Sequence, residues 1–225
     1  MTVNSGQTNI AFDFDELRDE ANLDFIEFSR LVGPGEFDGA VSFGFATRTA
    51  RPQRLATSMS FDLQDLLGTV TGSIGHVGNV LFADDKSFGL FGFEYDSSRT
   101  SPTTSGFFLE GRLQNLGSFT TVLFDVSNAE ISSNASLLEI SGDLLIAPEF
   151  ADMLIERSLT TSDLTGRDVG DLLLRAAVPE PNTATILFLV IVPLVSTRVA
   201  CRRLRTSGSL SRPMSTRVPL CAGAA

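Results

Sequence analysis

Four stretches of this chain alternate apolar with small or polar residues at a period of two. Val41, Phe43 and Phe45 are separated by Ser42 and Gly44; Leu55, Thr57, Met59 and Phe61 by Ala56, Ser58 and Ser60. Phe91, Phe93 and Tyr95 are separated by Gly92 and Glu94, and Leu138, Ile140, Leu144 and Ile146 fall in phase with Gly142. Side chains on extended backbone point to opposite faces in turn, so each run sets its apolar members on one side of a sheet. Further strands are expected over 107–113, 119–126 and 171–176. Turn residues punctuate them: Gly33-Pro34-Gly35, Asp84 to Ser87, Ser97 to Gly106, Ser127-Asn128 and Ser132 to Asn134. Many short strands with one polar face predict a mainly β domain, an antiparallel β-sandwich of jelly-roll-like type. It should cover roughly residues 8–176, with Phe43, Phe45, Phe93 and Ile140 buried. Pro148 to Arg157 reads as a short helix with its proline in the first turn, and Asp62 to Leu67 as a second.

Charge divides the chain. Residues 1–178 hold 26 acids and 11 bases, whereas residues 179–225 hold one acid and six arginines. So acidic a domain repels phosphate backbones, which excludes nucleic acid as a partner, while the basic tail suits an anionic membrane surface. Both cysteines, Cys201 and Cys221, lie in the tail, so the domain has no disulfide framework and no thiolate metal site.

The domain offers little chemistry. Its only histidine, His76, lies in Gly72-Ser73-Ile74-Gly75-His76-Val77-Gly78, and a surface loop is expected there. Asp13, Asp15, Glu16, Asp19 and Glu20 cluster, but without the spacing of a calcium-binding loop they read as a solvated acidic face. The phenylalanines fall in phase with the strand pattern and read as core. With no tryptophan and one tyrosine, Tyr95, the chain is poor in the usual aromatic platforms for sugars. No catalytic residue, metal ligand or cofactor is expected.

The tail is the informative part. Ala177-Val178 leads into Pro179, Glu180 and Pro181, and two prolines in three residues end any strand or helix. An uninterrupted apolar run follows: Ile186, Leu187, Phe188, Leu189, Val190, Ile191, Val192, Pro193, Leu194 and Val195. Arg202, Arg203 and Arg205 come next, as the positive-inside rule expects of a cytoplasmic flank. The run predicts a single C-terminal hydrophobic helix.

This order resembles the PEP-CTERM sorting signal of Gram-negative envelope proteins. There a Pro-Glu-Pro motif precedes a transmembrane segment and a basic cluster; the match covers residues 178–205. The resemblance implies recognition by an exosortase, a membrane cysteine transpeptidase, with anchoring through the C-terminal helix and removal of the tail. It also implies a setting of extracellular polysaccharide. The expected organisation is an exported β-sandwich over 1–177, the sorting signal over 178–205 and a disordered tail over 206–225. Residues Met1 to Gly6 have neither the basic nor the apolar region of a secretory signal peptide, and family members carry one. The expected function is a non-enzymatic envelope or extracellular-matrix protein, released outside the cell after processing. The alternative is an anchored extracellular glycan-binding module or hydrolase.

Overall fold

A computed structural model describes residues 1–46, 56–115, 120–134 and 136–178. The elements in chain order are β1 (Ser5–Phe12), α1 (Phe14–Ala21), β2 (Phe25–Ser29), β3 (Gly33–Pro34), β4 (Val41–Phe45) and α2 (Leu66–Thr69). They continue with β5 (Ile74–Val77), β6 (Asn79–Phe82), β7 (Ser87–Thr100), β8 (Ser105–Gln114), β9 (Thr120–Ser133), β10 (Leu137–Ile146), α3 (Pro148–Glu156) and β11 (Asp168–Ala177).

The strands pair in the order β7–β5–β4–β1–β11–β10–β9–β8, and β8 pairs back onto β7. Every pairing is antiparallel, so the sheet is a closed barrel of eight strands. Strands β6 and β2 extend from β7, and β3 adds to β4. The mainly β, antiparallel architecture is as expected. Closure replaces the expected two-layered sandwich. Period-two alternation demands one buried face, and a sheet curled on itself supplies it as well as two stacked sheets do.

The buried face fills the barrel. Registered pairs carry the apolar sets inward: Phe43 opposite Thr8, Ile140 opposite Leu174, Phe124 opposite Leu109, and Phe93 opposite Leu109 on the other side. Phe43, Phe91, Phe93, Phe107, Phe124, Leu144 and Leu174 are all buried. Phe43 meets Phe91 edge-on at 5.3 Å, and Phe93 stacks on Phe107 at 5.2 Å. Such pairs add to the energy of area burial. Strand β9 is bulged against β10 between Ser141 and Asp143, which coils the sheet. Gly142 is needed there, because a Cβ would lie 2.5 Å from the Ser127 carbonyl.

Helix α3 forms where the proline predicted it, and packs Phe150 against Phe88 (5.3 Å) and Phe124 (5.8 Å). Helix α1 is an addition to the expected elements. Strand β1 stops at Phe12, and the Asp13 carboxylate accepts from the Glu16 amide (2.9 Å), capping a helix that buries Leu17 and Ala21. Residues 56–61 do not form the predicted strand; Ser60 makes only isolated bridges to Thr2 and Thr71. Their apolar members Met59 and Phe61 are still buried. Phe45 is half-buried, not core. No helix among the described residues is long and apolar enough to cross a membrane.

Candidate functional site

The sorting residues Pro179, Glu180 and Pro181, the run from Ile186 to Val195 and the cluster Arg202, Arg203 and Arg205 lie outside the described residues. The barrel runs up to them: β11 ends at Ala177, and buried Val178 donates its amide to the Ser136 carbonyl at 2.9 Å.

His76 is not in a surface loop. It sits in β5, 2% exposed, with its ring inside the barrel. Nδ1 lies 3.1 Å from the Phe91 carbonyl, which only accepts, so Nδ1 carries the proton. Nε2 then accepts from the Thr8 hydroxyl at 2.6 Å. Phe45 packs edge-on against the ring at 5.3 Å. Burial lowers the His76 pKa to about 4, against a smaller opposing effect of the Phe91 carbonyl, so the ring is neutral at pH 7. The imidazole thereby links β7 to β1 inside the barrel. Its flanking glycines suggested a loop, whereas Gly75 pairs with Gly92 within the sheet.

A second polar constellation lies on the outside. Arg99, near the end of β7, donates from Nε to Asp125 Oδ1 (2.8 Å) and from Nη2 to Asp125 Oδ2 (3.0 Å). Nη2 also bonds Glu149 Oε2 at 3.0 Å, and the guanidinium lies 5.2 Å above the Phe108 ring. Hydrogen bonds to Glu149 and Asp125 raise the Arg99 pKa, and the Arg99 bond holds Glu149 below the usual carboxylate range. Side-chain exposures of 17% for Arg99 and 9% for Asp125 make this a largely desolvated pair. Both carboxylates are committed to the guanidinium, which ties the β7–β8 hairpin to β9 and the start of α3.

The acidic cluster at α1 is distributed over arginines. Arg18 pairs with Asp15 and Asp19, each at 2.8 Å, and Arg167 pairs with Glu16 and, at 3.6 Å, Glu20. Among the described residues no three histidine, cysteine or acid side chains are placed to hold a metal ion.

A third region has unmet hydrogen-bonding capacity. Asn9 lies opposite Ser42 on one side and Leu173 on the other, and Leu173 lies opposite Ser141, which faces Glu130. These five residues form one transverse row on the outer face. Asn9 and Ser42 are 0% and 1% exposed, although they face away from the core. Next to this row Glu36, in the loop after β3, accepts from Gln7 Nε2 (2.9 Å) and pairs with Arg175. Asn9 Nδ2 donates to the Leu173 carbonyl at 3.2 Å, while Asn9 Oδ1 and Ser42 Oγ have no hydrogen-bond partner. Beside them opens a groove of about 420 Å³, lined by Phe37, Ser141, Asp143, Leu173 and others. Asn128 donates to Asp143 at 2.7 Å. Burial, helped by Asp143 and Asp168, raises the pKa of Asp171 at the groove's edge. No sequence signal marked this place, because Asn9, Ser42 and Ser141 read as ordinary polar members of half-buried strands.

No family model matches the sequence, and no curated protein matches it significantly. Among solved structures, the chain is similar in shape to the C-terminal domain of HtaA from Corynebacterium glutamicum. The TM-score is 0.48 and the identity 12%, over 78% of this chain and 98% of that one.

Proposed function

We propose that this chain is an exported cell-envelope protein whose barrel is displayed outside the cytoplasm and sorted by the C-terminal signal. The observation that carries the reading is the order Pro179-Glu180-Pro181, apolar run, then Arg202, Arg203 and Arg205. The apolar run crosses the membrane as a helix, the arginines hold its cytoplasmic end, and an exosortase removes the tail, leaving the barrel anchored or released among extracellular polysaccharide. Two features of the fold favour this reading. The last strand of the sheet ends at Ala177, just before the motif in sequence, and Val178 is still bonded to the barrel. Among the described residues the barrel interior is packed with buried phenylalanine and leucine.

The role of the barrel is display, not catalysis. The outer carboxylates Asp125 and Glu149 share Arg99 instead of facing each other across an open cleft. Intact-mass measurement of the surface protein from an exosortase-bearing host tests the sorting. The expected result is loss of the apolar run and its arginines. A mature chain still ending at Ala225 overturns it. Replacing Arg202, Arg203 and Arg205 by glutamate should abolish correct orientation by removing the positive-inside signal.

A further inference from the structure

We infer that the cavity beside Arg99 binds a neutral polyhydroxylated ligand of the sugar class, held by hydrogen bonds. The cavity measures about 470 Å³, within the range of small-ligand sites, ~300–1,000 Å³. Separate stretches of chain converge to build it: the β7–β8 hairpin, the junction of β10 with α3, and Thr165 and Gly166 before β11. Arg99, Asp125 and Glu149 line it, so the ion-pair constellation borders open space as the fold stands.

The hydrogen-bonding capacity left in the constellation selects the ligand. A guanidinium has five N–H donors. Arg99 uses Nε on Asp125 Oδ1, Nη1 on Glu149 Oε1, and Nη2 on both Asp125 Oδ2 and Glu149 Oε2, which leaves one N–H on Nη1. Each of the four carboxylate oxygens accepts one of these bonds and keeps a further lone pair. The hairpin adds hydroxyls fixed by their own bonds: Ser101 Oγ lies 3.1 Å from Thr103 Oγ1 and 2.8 Å from Thr104 Oγ1, and Thr104 donates to the Arg99 carbonyl. Many acceptors and one spare donor therefore stand together. Neighbouring hydroxyls on one ligand meet both needs, one donating to a carboxylate oxygen while the next accepts from Nη1. Leu145 and Pro148, also on the wall, supply apolar surface for the C–H groups between them. Two carboxylates against one guanidinium disfavour an anion. An ammonium group has nothing to offer the spare donor and would lie beside the charge of Arg99. Side-chain exposures of 17% for Arg99 and 9% for Asp125 keep hydrogen bonds to these groups charge-assisted and little screened. The site lies on the barrel, so it adds a ligand to the display reading without depending on tail processing.

The test uses the purified full-length chain in a zwitterionic detergent, so that no sugar headgroup competes. Calorimetry is run with maltohexaose, cellohexaose and mannohexaose, and with glucose and mannose to tell a glycan chain from a free sugar. Hexagalacturonate is the acidic probe and spermidine the cationic one. At least one neutral sugar is expected to bind, with Kd in the range of ~10 µM to 1 mM, and to shift the Arg99 Nε–H signal in NMR, assigned by its loss in Arg99→Lys. Glu149→Ala removes two acceptors and Thr165→Trp fills the cavity; each should weaken binding at least about tenfold. Both positions are exposed, so these variants report on binding even if Arg99→Lys unfolds. Absence of binding by every neutral sugar overturns the inference, whether or not hexagalacturonate or spermidine binds. So does neutral-sugar binding that Glu149→Ala and Thr165→Trp both leave unchanged.

Discussion

The barrel has two unlike walls. Strands β7 to β10 run for 14, 10, 14 and 10 residues, with long registers and bulges that coil them. On the opposite side β5 has four residues and joins β4 through two residue pairs and β7 through two more. The long wall is held by its backbone ladder and by aromatic packing. The short wall is where the ring is closed with least backbone, and there the only histidine spans from β7 to β1 with its two nitrogens. Where ladder hydrogen bonds are few, one buried polar side chain with both partners satisfied supplies the missing connection.

Core truncation should separate the walls most sharply. Phe124→Ala, in the long wall and in contact with Phe88 and Phe150, should lose about 3–5 kcal/mol in denaturant unfolding. Phe45→Ala, half-exposed in the short wall, should lose only about 1–2 kcal/mol. Equal losses would erase the distinction.

Acid should act on the short wall next. The folded pKa of His76, about 4, lies below its ordinary value of 6.5, so the unfolded chain binds the proton more readily. Its contribution is therefore complete above about pH 6.5 and is lost as the pH falls towards 4, by about 3 kcal/mol. His76→Gln should lack this component, and the difference between the two unfolding profiles removes the shared titration of the carboxylates. If the profiles run parallel, His76 is not the acid-sensitive connection. Hydrogen exchange at pH 4.5 sharpens the comparison: β5 amides should exchange before those of β9.

On the outside of the long wall, Arg99→Met should cost about 2 kcal/mol, because it leaves the desolvated Asp125 carboxylate without its cation. Asp125→Asn in the same background should recover part of that loss. A double-mutant cycle with no coupling would show that the pair does not hold the hairpin. The smallest effect belongs to Ser42→Ala. Removal of an unsatisfied buried hydroxyl should leave stability unchanged or raise it by up to about 1 kcal/mol. A loss instead would mean that Ser42 has a partner in solution.

How much of this was legible beforehand depends on the range of each interaction. The alternation around Phe43, Phe93 and Ile140 marked strands, because side-chain direction on extended backbone is a local property. Pro148 marked the start of α3 for the same reason. Helix α1 was missed because its apolar positions, Leu17 and Ala21, are too sparse to stand out among the acids. Residues 56–61 alternate as a strand does and bury Met59 and Phe61, yet the pairing available to them is limited to isolated bridges.

The chain's sequence by itself determined a β-rich, acidic, cysteine-free domain, and a tail in which Pro179-Glu180-Pro181, an apolar run and arginines follow one another. These follow from composition, period and spacing, which need no knowledge of partners distant in the chain. Only the tertiary structure decided that the sheet closes, through the return of β8 onto β7, and that His76 lies inside it against Thr8, 68 residues away. It alone set Asn9 opposite Ser42 and buried both on the outer face. Burial and hydrogen-bond satisfaction depend on what lies against a residue, and here the opposing strands and the residue itself come from separate parts of the chain.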